Sequence, residues 1–149
     1  MRQILLEELK QYYALWRETN AIYEQWAKKH QISYYELLIF TSLWGEEQLC
    51  TQKQLCEQWT LPKQTVHSIL KNFEGKNWVE LKTVEADRRN KAIFLTESGR
   101  AFCKVVMEDL QQHECAVWEK LGAPRRKALL ENTALYIKYF KGGGQNENQ

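Results

Sequence analysis

The fold of this chain is decided by residues 61–100, whose sequence is LPKQTVHSILKNFEGKNWVELKTVEADRRNKAIFLTESGR. Pro62 has no amide hydrogen to leave unpaired, so it suits the start of a helix. From Lys63 to about Lys76 the apolar residues fall on one helical face and polar residues cover the rest. Asn77 follows, and asparagine is second only to glycine as a left-handed helix cap. This part of the segment therefore predicts a short amphipathic helix with a polar outer face.

The hydrophobic period changes from helical to two after this helix. Residues 78–84 alternate and are rich in β-forming types, and residues 92–95 form a second apolar run. The polar segment 85–91 lies between the two runs, so the pattern predicts a β-hairpin with a charged loop at its tip. Thr96 is then expected to cap a long helix that runs over residues 97–121.

Upstream of this segment the sequence predicts three further helices. The first spans residues 3–29, which contain no glycine or proline and carry apolar residues at alternating spacings of three and four. Residues 33–36 and 51–54 match the capping box, in which two residues satisfy each other's free amides. We expect the helix after the first box to end at Gly45 with a left-handed cap, and the helix after the second to end near Trp59.

Downstream of the hairpin, the residues from Gly122 to Pro124 are predicted to break the long helix. A last helix follows, and the residues on its apolar side are Leu129, Leu130, Ala134, Ile137 and Phe140. The apolar residues of the first helix, several of which are aromatic, form a similar stripe. Both stripes would be hard to bury within one copy of the chain. Both therefore predict that the protein forms a dimer.

Two short helices joined by a tight turn and followed by a β-hairpin make a winged helix-turn-helix. The predicted fold class is mainly α with a small β-hairpin wing, in a single domain over residues 1–149. The winged helix-turn-helix occupies residues 46–100, and long dimerisation helices flank it at 1–31 and 122–141. Residues 142–149 are predicted to be a flexible polar tail.

These segments resemble the MarR-type (multiple-antibiotic-resistance regulator) family of transcription factors. The resemblance covers nearly the whole chain and is sharpest at residues 49–55, 61–66, 87–89 and 95–100. The last two segments look like the family's wing signature, which is Asp-x-Arg, a strand and then Leu-Thr-x-x-Gly. The resemblance implies a homodimer with intertwined first and last helices. It also implies that each lobe presents a recognition helix to half of a pseudo-palindromic operator, commonly as a repressor released by a small molecule or an oxidant.

Double-stranded DNA is accordingly the expected partner. A polar recognition helix fits a major groove about 12 Å wide, and the negative potential of the minor groove attracts arginine from the hairpin. Residues 51–100 hold nine basic and six acidic side chains, which is compatible with this use. Two alternatives remain open: a solvated helix face, and arginines that stiffen the hairpin by pairing with Asp87. The candidate DNA-binding residues are Lys63, Gln64, Thr65, His67, Ser68, Lys71, Arg88, Arg89 and Lys91.

The resemblance further implies a cleft for a small aromatic or phenolic effector, where the dimerisation helices meet the DNA-binding lobe. Aromatic side chains on the first two helices suit a flat apolar ligand. The alternative for each of them is an ordinary place in the core. The candidate effector-pocket residues are Tyr13, Trp16, Tyr34 and Tyr35, with Tyr23 beside them.

Composition and motifs disfavour several other classes of protein. The chain is 44% hydrophobic and 27% charged, which is too apolar for disorder, and it has no stretch of about twenty uncharged apolar residues. It lacks a signal-peptide core, so we expect a cytoplasmic protein with no membrane partner. His113 and Asp109 share one helix face, but two ligands do not make a metal site. We expect no metal, no cofactor and, without a catalytic arrangement, no enzyme.

The four cysteines form no CxxC pair and are predicted to be reduced. Cys56 and Cys103 lie among apolar residues and are predicted to be buried small hydrophobes. MarR relatives that sense hydroperoxides have a reactive cysteine near the start of the first helix, and this chain has none there. Two alternative functions remain: a thiol-based redox-sensing regulator, and a helical dimeric interaction protein that keeps the fold without reading DNA.

Overall fold

The computed structural model describes residues 1–45, 50–84 and 87–142, except the side chains of residues 87 and 88. The chain is mainly helical with one small antiparallel sheet, which confirms the predicted fold class. It divides into two compact units, Met1–Glu108 and Asp109–Gln149. The elements in chain order are α1 (Arg2–Lys29), α2 (Tyr34–Trp44), β1 (Cys50–Thr51), α3 (Gln52–Trp59), α4 (Lys63–Gly75), β2 (Val79–Val84), β3 (Asp87–Leu95) and α5 (Glu97–Gly142).

Both predicted capping boxes are confirmed. Ser33 Oγ accepts a hydrogen bond from the amide of Glu36 at 3.1 Å, and the Glu36 carboxylate accepts one from the amide of Ser33 at 2.6 Å. Thr51 and Gln54 satisfy each other in the same way at the start of α3. Each pair gives a hydrogen-bond acceptor to two backbone amides that have no partner within the helix. This explains why α2 and α3 begin where they do.

The helix ends agree only in part with the predictions. Asn77 has φ 57° and lies in the predicted left-handed conformation just after α4. Gly45 has φ −96°, so the prediction of a left-handed cap there was wrong; the chain leaves α2 without needing a positive φ. The left-handed residue that ends α3 is Thr60, with φ 53°. A β-branched residue disfavours that conformation, so sequence reasoning missed it.

The sheet has three strands in the order β1-β3-β2, one more than the predicted hairpin. The short strand β1 pairs with β3 through Cys50 opposite Ile93. The predicted loop over residues 85–91 was too long, because β3 already begins at Asp87 and Val84 pairs with Asp87 across a bulge. Polar side chains marked this stretch as loop, but strand pairing uses backbone groups that every residue type possesses.

The core of the first unit combines aliphatic side chains with a cluster of aromatic rings. Phe40 and Phe73 are stacked with ring centroids 4.6 Å apart, and Trp78 is stacked on Phe102 at 4.2 Å. Burying such a side chain contributes about 1.5–3 kcal/mol. The fully buried large side chains are Phe40, Phe73, Leu37, Ile39, Leu55, Leu70, Val66, Val106 and Cys103. This core joins α2, the end of α4, the sheet and the first turns of α5.

In the second unit, Gly122 interrupts α5 with φ 75° and ψ 156°, which confirms the predicted break. Arg126 donates a hydrogen bond to the carbonyl of Trp118 at 2.8 Å. This bond gives a partner to a backbone carbonyl on the N-terminal side of the break. No helix within the described ranges is long and apolar enough to cross a membrane. The predicted tail beyond Gly142, and residues 46–49 and 85–86 of the predicted winged helix-turn-helix, lie outside the described residues.

Candidate nucleic-acid interface

Helix α4 presents a polar face to solvent because its apolar face is anchored in the core. Val66 and Phe73 are completely buried and Leu70 is 1% exposed. At 3.6 residues per turn, the opposite side of the helix carries four of the candidate DNA-binding residues. All four are exposed, and they are Gln64, His67, Ser68 and Lys71.

The first residues of α4 are held by α3. Gln52 donates a weak hydrogen bond from Nε2 to the carbonyl of Lys63 at 3.4 Å, which is longer than the usual range of about 2.7–3.2 Å. Lys63 itself is exposed at the first position of the helix, whereas Thr65 is half-buried on its flank. Of the residues predicted on this helix, Thr65 is therefore the least exposed.

A partly buried polar network centred on Ser42 connects α3 to α2. Ser42, which is 3% exposed, donates to Oε1 of Gln58 at 2.8 Å and accepts from Nε1 of Trp59 at 2.7 Å. Burying these polar groups without partners would cost free energy, so the network favours one relative placement of the two helices. The helix pair that supports the candidate interface is thus joined by apolar packing and by directional bonds.

A cleft of about 370 Å³ lies between α3, the start of α4 and strand β3. It brings together two predicted residues, Lys63 and Arg89, and adds Lys53, which sequence reasoning did not select. Among the described residues of its lining, Glu57 is the single acidic one against three basic ones, so this part of the cleft attracts anions. The sequence signals for Lys53 were its position in the first turn of α3 and its place in segment 49–55, where the family resemblance is sharp. The lining residues are Gln52, Lys53, Cys56, Glu57, Lys63, Arg89 and Asn90.

The remaining predicted residues belong to the wing. Arg89 and Lys91 are exposed on β3, and Lys91 pairs with Thr83 across the hairpin. The backbone of Arg88 lies in β3, but its side chain lies outside the described residues. The structure therefore joins Arg89 to the helix-turn-helix through the cleft and leaves the role of Arg88 a prediction.

The end of α4 and the base of the wing are bound to the start of α5. Thr96 and Ser98 both donate hydroxyl hydrogen bonds to the carbonyl of Asn77, at 2.6 and 2.7 Å, and the amide of Thr96 donates to the carbonyl of Trp78 at 3.0 Å. Gly99 lies directly against Trp78, and a Cβ on Gly99 would be 1.8 Å from its carbonyl oxygen. The Leu-Thr-x-x-Gly segment found in the sequence therefore fixes the position of the recognition helix and wing together.

A second cavity, of about 510 Å³, lies between α1 and the start of α2. Tyr34 and Tyr35 line it, as the effector-pocket prediction requires, whereas Tyr13 and Trp16 lie nearer the start of α1, are exposed and are not part of the lining. The rest of its lining is largely polar, which the aromatic pattern did not indicate. Its lining residues are Asn20, Glu24, Lys28, Ile32, Ser33, Tyr34 and Tyr35.

The cysteines differ in their surroundings. Cys103 is fully buried, as predicted, and desolvation by burial raises its pKa to about 12 against the opposing effect of Arg100. A thiol with this pKa stays protonated near neutral pH and is a poor nucleophile. Cys56 is half-buried rather than buried because it lines the cleft, Cys50 is buried and Cys115 is exposed. Within the described residues, no group of three or more His, Cys, Asp or Glu side chains could hold a metal ion.

Comparison with known proteins finds transcriptional regulators. The sequence model of the MarR family matches residues 34–90. The regulator SarZ of Staphylococcus aureus is 30% identical over 117 residues, which are 78% of this chain and 76% of SarZ. The chain spans only 58–61% of the length of three other regulators that it matches.

Solved structures of similar fold are also structures of transcriptional regulators. NMB1585, a MarR family regulator from Neisseria meningitidis, matches with a TM-score of 0.78 and 28% identity, covering 94% of this chain and 99% of that one. The MepR–DNA complex of S. aureus matches with a TM-score of 0.74 over 85% of this chain and 96% of that one. At 20% identity, the MepR match shows a shared fold.

Proposed function

Because the chain belongs to the MarR family of transcriptional regulators, we propose that it binds double-stranded DNA as a homodimer and represses transcription. The observation that carries this proposal is the exposed polar face of α4, which lies next to the cationic cleft formed with Lys63 and Arg89. Side chains on α4 would read base edges in the major groove, and the cleft would neutralise phosphates. The MepR relative of this fold is itself bound to DNA, which supports the assignment.

The proposed dimer follows from the apolar side chains that a single chain leaves in water. On α1, Leu5 and Trp16 are more than half exposed, and in the second unit Leu130 and Phe140 are too. Covering each such side chain is worth about 1.5–3 kcal/mol, so a second copy that buries both faces would gain a large fraction of a domain's stability. Two copies would present two α4 helices to the two halves of a palindromic site.

The proposed regulation is release of DNA by a small phenolic effector that binds in the 510 Å³ cavity against Tyr34 and Tyr35. The rings suit a flat apolar surface, and Lys28 offers a cation for a phenolate or carboxylate. We place the protein in the cytoplasm, where its DNA would be found, and assign it a binding role rather than catalysis.

The test is binding to duplexes selected by the protein from a random pool, measured by fluorescence anisotropy over a range of salt concentrations. Lys63→Ala and Arg89→Ala are expected to weaken binding to all sequences and to lower the slope of log K against log salt by about 1 each. Lys104→Ala is the matched control, since this exposed lysine lies on α5 and pairs with Glu108 at 3.8 Å. A dimer that selects no duplex would instead support the interaction protein without DNA readout.

A further inference from the structure

The carboxylate of Glu36 joins the wall of the 510 Å³ cavity to helix α4. Its Oε2 accepts a hydrogen bond from the amide of Ser33 at 2.6 Å, and its Oε1 accepts one from Nδ2 of Asn72 at 3.1 Å. Ser33 lines the cavity, and Asn72 lies on α4, the helix proposed to read DNA. One side chain therefore contacts both regions through directional, charge-assisted bonds.

A buried layer of rings lies beneath this bridge. Phe40, one turn after Glu36 on α2, stacks on Phe73, the residue that follows Asn72 on α4. This stack buries apolar area between the two helices, but it provides no hydrogen bond between them. The bond from Asn72 to Glu36 is exposed to solvent but directional, and it therefore favours one angle between α4 and the first turn of α2.

The opposite wall of the cavity belongs to α1. Asn20, Glu24 and Lys28 follow one another at intervals of one helical turn and face Ser33, Tyr34 and Tyr35 at the start of α2. A molecule that fills the cavity would contact both walls, and so would act on the first turn of α2. That turn includes Ser33, whose amide is held by Glu36.

We propose that the hydrogen-bonded bridge between Glu36 and Asn72 transmits occupation of the cavity to the recognition helix α4. The inference rests on the proposed function, because it requires that α4 binds DNA. A molecule in the cavity would favour one position of the first turn of α2, and the bridge would impose the matching orientation on α4. DNA affinity then changes by the difference in free energy between the two orientations.

The experiment is a double-mutant cycle that needs no identified effector. Asn20→Phe fills the cavity from the α1 side, and Asn72→Ala removes the bridge without touching the cavity lining. The dissociation constant for a duplex selected by the wild-type protein is measured by fluorescence anisotropy in all four proteins. We expect Asn20→Phe to weaken binding about fivefold when the bridge is present and less than twofold when Asn72 is alanine.

Thr41→Ala is the matched control background. Its hydroxyl, also on α2, donates to the carbonyl of Leu37 in the same helix at 2.9 Å, so its removal leaves the bridge intact. The fivefold effect of Asn20→Phe should persist there. Asn20→Leu replaces it in the cycle if circular dichroism shows that the phenylalanine variant is not folded.

Two outcomes would refute the proposed role of the bridge. The first is an equal effect of the cavity substitution with and without Asn72, and the second is no effect in either background. Both leave the proposed function standing, because the wild-type protein still binds its duplex. Absence of binding by the wild-type protein would instead refute the proposed function itself, and with it any role for the bridge in DNA binding.

Discussion

Replacing Gly99 by alanine should destabilise the junction between α4, the wing and α5. A Cβ at this position would be 1.8 Å from the carbonyl oxygen of Trp78, 2.6 Å from its carbonyl carbon and 2.8 Å from its Cα. All three are backbone atoms, so no side chain can rotate away to make room. Ordinary contact distances begin at 3.4 Å, and the two segments must therefore separate by about 1.5 Å.

That separation would also stretch the hydrogen bonds that hold the junction together. Thr96 and Ser98 donate three bonds to the carbonyls of Asn77 and Trp78, at 2.6, 2.7 and 3.0 Å. Overpacking costs about 1–3 kcal/mol, and each hydrogen bond lost costs about 0.5–1.5 kcal/mol. With one or two of these bonds broken, the expected loss in the free energy of unfolding is about 1.5–6 kcal/mol.

The assay is urea denaturation followed by far-UV circular dichroism at one fixed protein concentration. Gly75→Ala is the matched control, because nothing lies within 4 Å of the added Cβ and the residue is helical. It should stabilise the protein by about 0.4–1 kcal/mol, since alanine lowers the conformational entropy of the unfolded chain. A loss below about 1 kcal/mol for Gly99→Ala, or a stabilisation equal to that of the control, would refute the close approach of Gly99 to the backbone of Trp78.

Three further predictions concern the dimer, the buried thiol and the effector. Light scattering at micromolar concentration should give twice the 17.8 kDa chain mass, and Leu130→Asp should lower it; a monomeric wild-type protein would contradict the dimer. The pKa of Cys103 is raised from 9.0 to about 12, so its contribution to stability is complete below pH 9 and lost as pH rises towards 12. Urea midpoints at pH 8 and pH 10.5 should therefore differ more for the wild-type protein than for Cys103→Ala. Titration with 4-hydroxybenzoate should release DNA in reducing buffer, and release by peroxide alone would favour thiol sensing instead.

Much of the fold could be predicted because its signals are local. The capping boxes at 33–36 and 51–54 join residues three apart, so both partners are visible in one short segment. The change of hydrophobic period after α4 identified the wing, and Gly122 identified the break in α5. Strand β1 escaped prediction because two residues carry no period, and it exists only by pairing with β3, about forty residues away in sequence.

The sequence by itself determined the helices, the wing and the polar residues of α4, because each follows from propensity, capping and hydrophobic period within a few turns of chain. Only the tertiary structure brought Lys63 to Arg89 in one cleft, and Asn72 to the carboxylate of Glu36, which is 36 positions away in sequence. Such contacts depend on how the buried faces of several elements pack against one another. No single segment contains that information, because the side chains that meet are placed by the core shared between them.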